Sequence, residues 1–187
     1  MHNNNWVFTT AFCVLLSLPS YTLATQKNKN QRKQIDTSIL ELAYQQLVLN
    51  NAKNTKQLKT KQNNLKQRAA IIAKKQLRIP YRWGGSSPKK GFDCSGLIQY
   101  AFKKANIFLP RTAASQYKQT KRISLAQMQT GDLIFFHTRR RKQVRVNHVG
   151  IYLGKDQFIH APRRGKTVSI AKLNNYWKRK VVGAGRI

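Results

Sequence analysis

The hydrophobic pattern of the chain opens with a predominantly apolar run from Trp6 to Leu18, and no later segment is as continuously apolar. A small-residue pattern suited to cleavage after Ala24 follows it. We therefore expect residues 1–24 to be a signal peptide that exports the protein to the periplasm, the cell envelope or the medium. An uncleaved anchor is the alternative, because the segment before the run lacks Lys and Arg. The run is shorter than the ~20 apolar residues of a spanning helix, so we expect no transmembrane helix in the mature form.

The next stretch, residues 25–66, is rich in Lys, Asn and Gln and has almost no aromatic residues. Such a composition predicts a basic polar arm that cannot bury enough apolar surface to fold alone. Within it, residues 36–49 predict a short helix, which either covers an edge of the core or mediates association. This segment carries an N-cap candidate and apolar residues near helical spacing: Asp36 or Thr37, then Ile39, Leu42, Ala43 and Leu47.

Residues 67–187 carry the mixed periodicities of a folded domain. A short amphipathic helix is predicted just before Pro80, and a loop of turn residues continues to Gly91. Asp93 then provides an N-cap for a second helix that stops at Asn106. One face of this helix is formed by small and apolar side chains, namely Cys94, Leu97, Ile98, Ala101 and Ala105.

Two further segments alternate with the period of strands, residues 147–153 and residues 157–161, and a turn at 154–156 joins them. In this hairpin His148 and His160 come opposite or diagonal to each other. Directly opposed side chains have Cβ atoms about 4.5–5.5 Å apart, close enough for one imidazole to orient the other. The pattern does not fix the register, and a slip of one residue would place the two histidines on opposite faces.

Composition adds an unusual charge to this picture. The hydrophobic fraction of 41% is sufficient for a core, but Lys+Arg 36 against Asp+Glu 5 gives a net charge of +31. Such a field implies an anionic partner or surface, although a solvated face is the simpler interpretation of any charge run. Three basic clusters flank the predicted site: Arg139, Arg140, Arg141 and Lys142, then Arg163 and Arg164, then Lys178, Arg179 and Lys180.

The charge also permits binding of nucleic acid. However, no helix-turn-helix, RNP or zinc-finger pattern directs such binding, and an export signal indicates another compartment. Retention of the protein on nucleic acid would test this class.

Removal of the signal peptide leaves Cys94 as the only cysteine. It is therefore either a small buried side chain or a thiol kept for its reactivity. Its place at the start of a helix favours the thiolate, and a thiolate nucleophile needs a nearby histidine as base. Of the four histidines, His2 is lost with the signal peptide and His137 opens a basic loop, so the pair on the hairpin is better placed.

Six motifs in this order resemble the NlpC/P60 family of papain-like cysteine peptidases: YRWGG, FDCSGLIQYAF, LPRTAASQ, GDLIFF, NHVGIYLG and FIHAP. The resemblance covers nearly all of residues 68–187. It implies an α+β fold in which the nucleophile helix packs on an antiparallel sheet. It also implies Cys94 as nucleophile, His148 as general base and acid, and His160 as the residue that orients His148.

The same resemblance implies that Tyr81 lends its hydroxyl near the oxyanion, and that Asp93 and Ser95 contact the substrate. The implied substrate is the stem peptide of bacterial peptidoglycan, cut at a bond that involves D-Glu or diaminopimelate. No metal or other cofactor is implied, since the cysteine and histidines lack zinc-like spacing. A non-catalytic wall-binding module and an amidase or acyltransferase of the same fold are the alternatives.

Overall fold

The computed structural model describes residues 20–138 and 146–187. Most of the predicted signal peptide, residues 1–19, lies outside the described residues, as does the basic cluster Arg139, Arg140, Arg141 and Lys142. Within the described part of the chain, no helix combines the length and apolar composition that crossing a membrane would require.

The chain divides into two compact units between Lys53 and Asn54. The first helix, α1 (Ser20–Lys74), is 55 residues long, so the expected polar arm with a short helix at 36–49 is corrected to one continuous helix. The segment contains no Gly or Pro to interrupt the hydrogen bonds, and Lys, Gln, Leu and Ala favour helix. Residues 36–62 are exposed throughout. The domain boundary at residue 66 remains a prediction.

In the second unit, the last turns of α1 bury Ala69, Ala70 and Ala73 in the core. The second helix, α2 (Cys94–Lys104), confirms the predicted helix: Asp93 is its N-cap and accepts a 2.7 Å hydrogen bond from the Gly96 N–H. Asn106, with φ of 63°, follows its C-terminal end in the left-handed conformation that Asn tolerates better than most residues. The shorter helices are α3 (Ala113–Gln119), a 3₁₀ turn (Leu125–Gln127) and α4 (Asn175–Lys178).

A six-stranded antiparallel sheet forms the other layer, with strand order β3-β8-β4-β5-β6-β7. Its strands are β3 (Lys121–Ile123), β4 (Leu133–Phe136), β5 (His148–Gly154), β6 (Gln157–His160), β7 (Ser169–Lys172) and β8 (Val181–Arg186). A small ribbon of β1 (Ser86–Ser87) and β2 (Gly91–Phe92) precedes α2. Helix α2 lies against β5, which confirms the predicted α+β arrangement.

Both faces of the central strands are covered, and β4 is apolar and buried at every position. One face joins α2 in the main core, with Leu133, Phe135, Val149, Ile151 and Ile159. The other face carries a smaller cluster in which the partly buried Trp177 packs against fully or nearly fully buried residues: Ile134, Phe136, Phe158 and Leu173.

The β5–β6 hairpin sets the relation of the two histidines. Lys155 and Asp156 both have positive φ, which is typical of the two-residue type I′ turn. The register pairs Ile151 with Ile159, so that His160 lies diagonal to His148 on the same face of the sheet. Gly150 is required between them, because a Cβ there would approach the Phe158 ring to 2.6 Å.

A buried carboxylate, Asp132, ties three parts of the second unit together. It accepts hydrogen bonds from Lys66 Nζ at 3.0 Å and from the Gln129 N–H at 2.8 Å. Arg186 binds both of its oxygens, Nε to Oδ1 at 3.0 Å and Nη2 to Oδ2 at 2.7 Å. Burial alone would raise the pKa of Asp132, but these donors hold it below its ordinary value. Lys66, which the sequence analysis placed in the arm, is 1% exposed.

We expect Asp132→Asn to destabilise the protein by about 3–5 kcal/mol, because Lys66 would keep its charge in the interior without a partner. Chemical denaturation monitored by circular dichroism measures this loss. Asp156→Asn is the matched control, since Asp156 is exposed and its ion pair with Lys178 is 4.0 Å long. Equal stability of the two variants would show that the buried ion pairs do not anchor α1.

Candidate active site

Cys94 is the first residue of α2, and its Sγ lies 4.0 Å from the carbonyl oxygen of Asn147, the residue before β5. The loop before α2 packs closely on its first turn, since a Cβ at Gly96 would collide with the carbonyl of Gly85. The thiol is thereby held between the helix start and the sheet strand that carries His148.

Asp93 is surrounded by donors. Besides capping α2, it accepts from the Gly84 N–H at 2.9 Å and from Ser95 Oγ at 3.3 Å. Arg111 binds both carboxylate oxygens, at 2.9 Å and 2.6 Å. The Asp93 carboxylate thus connects the loop, the helix start and Arg111, and its predicted contact with the substrate stays a prediction.

The two histidines form a buried pair, with His148 Nε2 2.8 Å from His160 Nδ1. Trp177 of α4 packs against both rings: it stacks on His148 with centroids 5.8 Å apart and meets His160 edge-on at 5.1 Å. Phe136 and Phe158 complete the apolar surroundings. This aromatic cage fixes the orientation of the imidazoles.

A cleft of about 1020 Å³ opens at the start of α2. Five of the six residues predicted for the site line it, namely Tyr81, Asp93, Cys94, Ser95 and His148, while His160 stands behind His148. Other lining residues come from the loops around it, including Trp83, Arg111, Asn147, Arg163, Arg164 and Trp177. Within residues 20–138 and 146–187, no three His, Cys, Asp or Glu side chains are grouped to hold a metal ion.

The pKa values of the site residues differ from the expectation that Cys94 is a thiolate. Burial raises the pKa of Cys94 to about 11, and the charge of Asp93 adds to this, although three backbone N–H groups act in the opposite direction. Burial lowers the pKa of His148 to about 3, with a further contribution from His160, and burial lowers that of His160 to about 4. Neutral thiol and neutral imidazole are therefore the resting forms, because desolvation outweighs the helix N-terminus.

We expect the alkylation rate of Cys94 by iodoacetamide to rise about tenfold per pH unit from pH 7 to 10, since only the thiolate reacts and its fraction grows until the pKa is reached. A Cys13→Ser background leaves one thiol in the chain. The rates are measured by intact mass against time. A rate that is constant above about pH 6 would instead reveal a thiolate–imidazolium pair.

The sequence analysis assigned no role to two residues of this site, Arg111 and Trp177. Arg111 stands in a motif that carries the resemblance, and its spacing from Asp93 gives no sign of their contact. Trp177 lies on α4, well after the two strands that carry the histidines, and only the assembled fold brings its ring against both imidazoles. The signal for Trp177 was a large aromatic residue directly before the basic residues Lys178, Arg179 and Lys180.

An α+β fold with a cysteine at a helix start and a histidine pair on the facing sheet defines the papain-like class. The chain belongs to the NlpC/P60 family, whose model matches residues 78–186.

Two curated relatives illustrate the similarity. The murein DD-endopeptidase MepH of Escherichia coli K12 is 46% identical over 116 residues, which are 60% of this chain and 42% of that protein. The bifunctional muramidase/DL-endopeptidase CwlT of Bacillus subtilis 168 is 45% identical over 108 residues, 58% of this chain and 32% of that protein. The match thus spans less than half the length of each.

Solved structures agree in fold. An NLP/P60 family protein similar to lipoprotein from Staphylococcus aureus Mu50 has a TM-score of 0.60 at 42% identity, covering 66% of this chain and 41% of that one. The peptidoglycan hydrolase RipB of Mycobacterium tuberculosis has a TM-score of 0.56 at 28% identity, covering 66% and 65%.

Proposed function

We propose that the chain is a cysteine endopeptidase that hydrolyses an amide bond in peptidoglycan stem peptides or their cross-links. The observation that carries this proposal is the common cleft of Cys94 and His148, in which His148 is held by His160 at 2.8 Å. The names of the relatives support the substrate, since they include a murein DD-endopeptidase and a DL-endopeptidase.

The proposed reaction requires one direction of the hydrogen bond between the histidines, whose 2.8 Å contact accommodates either tautomer. With Nε2 of His148 donating to Nδ1 of His160, the Nδ1 of His148 keeps its lone pair for the thiol proton. Because both groups are neutral at rest, this proton moves as the sulfur attacks the amide carbonyl. The imidazolium then formed stays bonded to His160, which stabilises it in an otherwise apolar cage.

The tetrahedral intermediate places its negative charge on the former carbonyl oxygen. Backbone N–H groups at the start of α2 would stabilise that oxyanion together with the hydroxyl of Tyr81, a residue that lines the cleft. His148 returns its proton to the leaving amine as the C–N bond breaks, which leaves an acyl group on Cys94. Water, deprotonated by His148, releases the acid and restores the thiol.

Digestion of defined muropeptides tests this function. The protein is incubated with a disaccharide-tetrapeptide and with its cross-linked dimer, and the products are identified by mass. Conversion of dimer to monomers indicates cleavage of the cross-link, whereas shortened stems indicate cleavage within the stem. No product from either substrate would contradict an endopeptidase and favour a non-catalytic wall-binding module.

We further propose export, with residues 1–24 as signal peptide, residues 25–66 as a basic helical arm and residues 67–187 as the catalytic domain. The basic residues would hold the protein to anionic wall or outer-membrane polymers. Lys178, Arg179 and Lys180 belong to or follow α4, and Lys180 Nζ donates to the Tyr176 hydroxyl at 2.7 Å. Binding to isolated sacculi should weaken as salt rises. Salt-insensitive binding would contradict this attraction.

A further inference from the structure

Basic residues outnumber acidic residues in the described lining of the cleft. Among its described lining residues, one carboxylate, Asp93, stands against three arginines, Arg111, Arg163 and Arg164. Arg111 already binds Asp93 through both of its Nη atoms. The cleft therefore keeps two uncompensated positive charges, and both belong to the segment that directly follows β6.

Arg163 and Arg164 are exposed. The ion pairs among the described residues involve Lys66, Arg111, Lys178 and Arg186 and not these two. The other described lining residues that come after β5, namely Pro162, Tyr176 and Trp177, offer no counter-charge. Two exposed guanidinium groups without an ion pair, at the wall of a cleft, are suited to bind a carboxylate, because a carboxylate accepts paired N–H donors from arginine.

Their place in the fold decides which half of the substrate they face. They lie three and four residues after His160, the last residue of β6 and the hydrogen-bond partner of His148. In the proposed reaction His148 protonates the leaving amine, so the residue that supplies this amine lies on the histidine side of the cleft. Asp93, Ser95 and Arg111 belong instead to the side of the Cys94 helix.

We infer that Arg163 and Arg164 select substrates with a free carboxylate on the amine side of the cleaved bond, such as a diaminopimelate residue with its carboxylate unblocked. This inference rests on the proposed function and goes further, since it names the chemical form of the substrate. The same residue with its carboxylate amidated would offer no negative charge and would be a poor substrate. The basic residues of the chain would then have two roles. Most of them attract the protein to anionic surfaces, whereas Arg163 and Arg164 select the substrate.

The test uses two pairs of synthetic stem peptides. In the first pair the amine-side residue carries either a carboxylate or a carboxamide, and in the second pair the same change is made on the acyl side. We expect the protein to prefer the amine-side acid by about tenfold in kcat/KM, through a lower KM. In Arg163→Gln/Arg164→Gln the preference should fall below about twofold, while discrimination in the acyl-side pair stays unchanged.

Lys103→Gln/Lys104→Gln is the matched control, because it also removes two exposed positive charges, but from the last turn of α2 and outside the cleft. It should keep the tenfold preference, which separates local recognition from the field of the whole protein. Equal cleavage of acid and amide, or a preference that survives in the arginine variant, would overturn the inference. Calorimetric binding of both peptides to Cys94→Ala measures the same preference without turnover, so a protein that binds them selectively but cleaves neither would contradict the proposed function alone.

Discussion

Cys94→Ala should reduce muropeptide hydrolysis to the rate without protein, a loss of at least about 10³-fold, because no other side chain at this position of the cleft can form the acyl intermediate. The substitution removes only Sγ, whose contact with the Asn147 carbonyl is weak at 4.0 Å. We therefore expect the fold to survive and the cap by Asp93 to remain. Product formation is followed by mass for the two proteins in parallel.

Cys94→Ser supplies the second arm of this test. Its hydroxyl is nearly the size of the thiol but is a much weaker acid and nucleophile, so activity should be lost although the shape of the cleft is kept. Thermal unfolding within a few degrees of the parent would show that both variants are folded. Equal product from the parent and from Cys94→Ala would remove Cys94 from the mechanism.

The position of Cys94 was predictable because its signals are local. Asp93 before an amphipathic segment is an N-cap signal, and the structure has that cap with the cysteine directly after it. The turn at 154–156 was equally local, and its two-residue form settled the register that the strand pattern left open. The sequence therefore predicted that the two histidines are close together. The backbone pairing of β5 with β6 determines that they lie diagonal to each other.

Three features could not be read from sequence, because each depends on groups far apart along the chain. Lys66 in a basic helix has the composition of a solvated arm, and only Asp132 and the packing around it make it a buried anchor. Trp177 packs directly against both imidazoles, although α4 is distant from them along the chain. The raised pKa of Cys94 follows from desolvation by the assembled domain, whereas the helix N-terminus, which the sequence does reveal, is the smaller influence.

His148→Gln should lower kcat/KM by about 10²–10⁴-fold, because the amide cannot take the thiol proton or return one to the leaving amine. Gln retains a donor that can reach His160, so the buried hydrogen bond need not be lost with the base. The measurement is hydrolysis of one muropeptide across pH 5 to 9. His137→Gln is the control, since His137 lies outside the lining of the cleft, and it should stay within about twofold of the parent.

The comparison of His160→Gln with His160→Ala then tests how His148 is oriented. Gln can still accept from the Nε2–H of His148, so its loss should be about tenfold, whereas Ala leaves that buried group without a partner and frees the imidazole to take the other tautomer. A larger loss for Ala than for Gln, at equal folded fraction, identifies His160 as a positioning residue. If both variants kept full activity, the aromatic cage of Trp177 and Phe136 would be sufficient to hold His148, and the hydrogen bond between the histidines would have no part in the proton transfer.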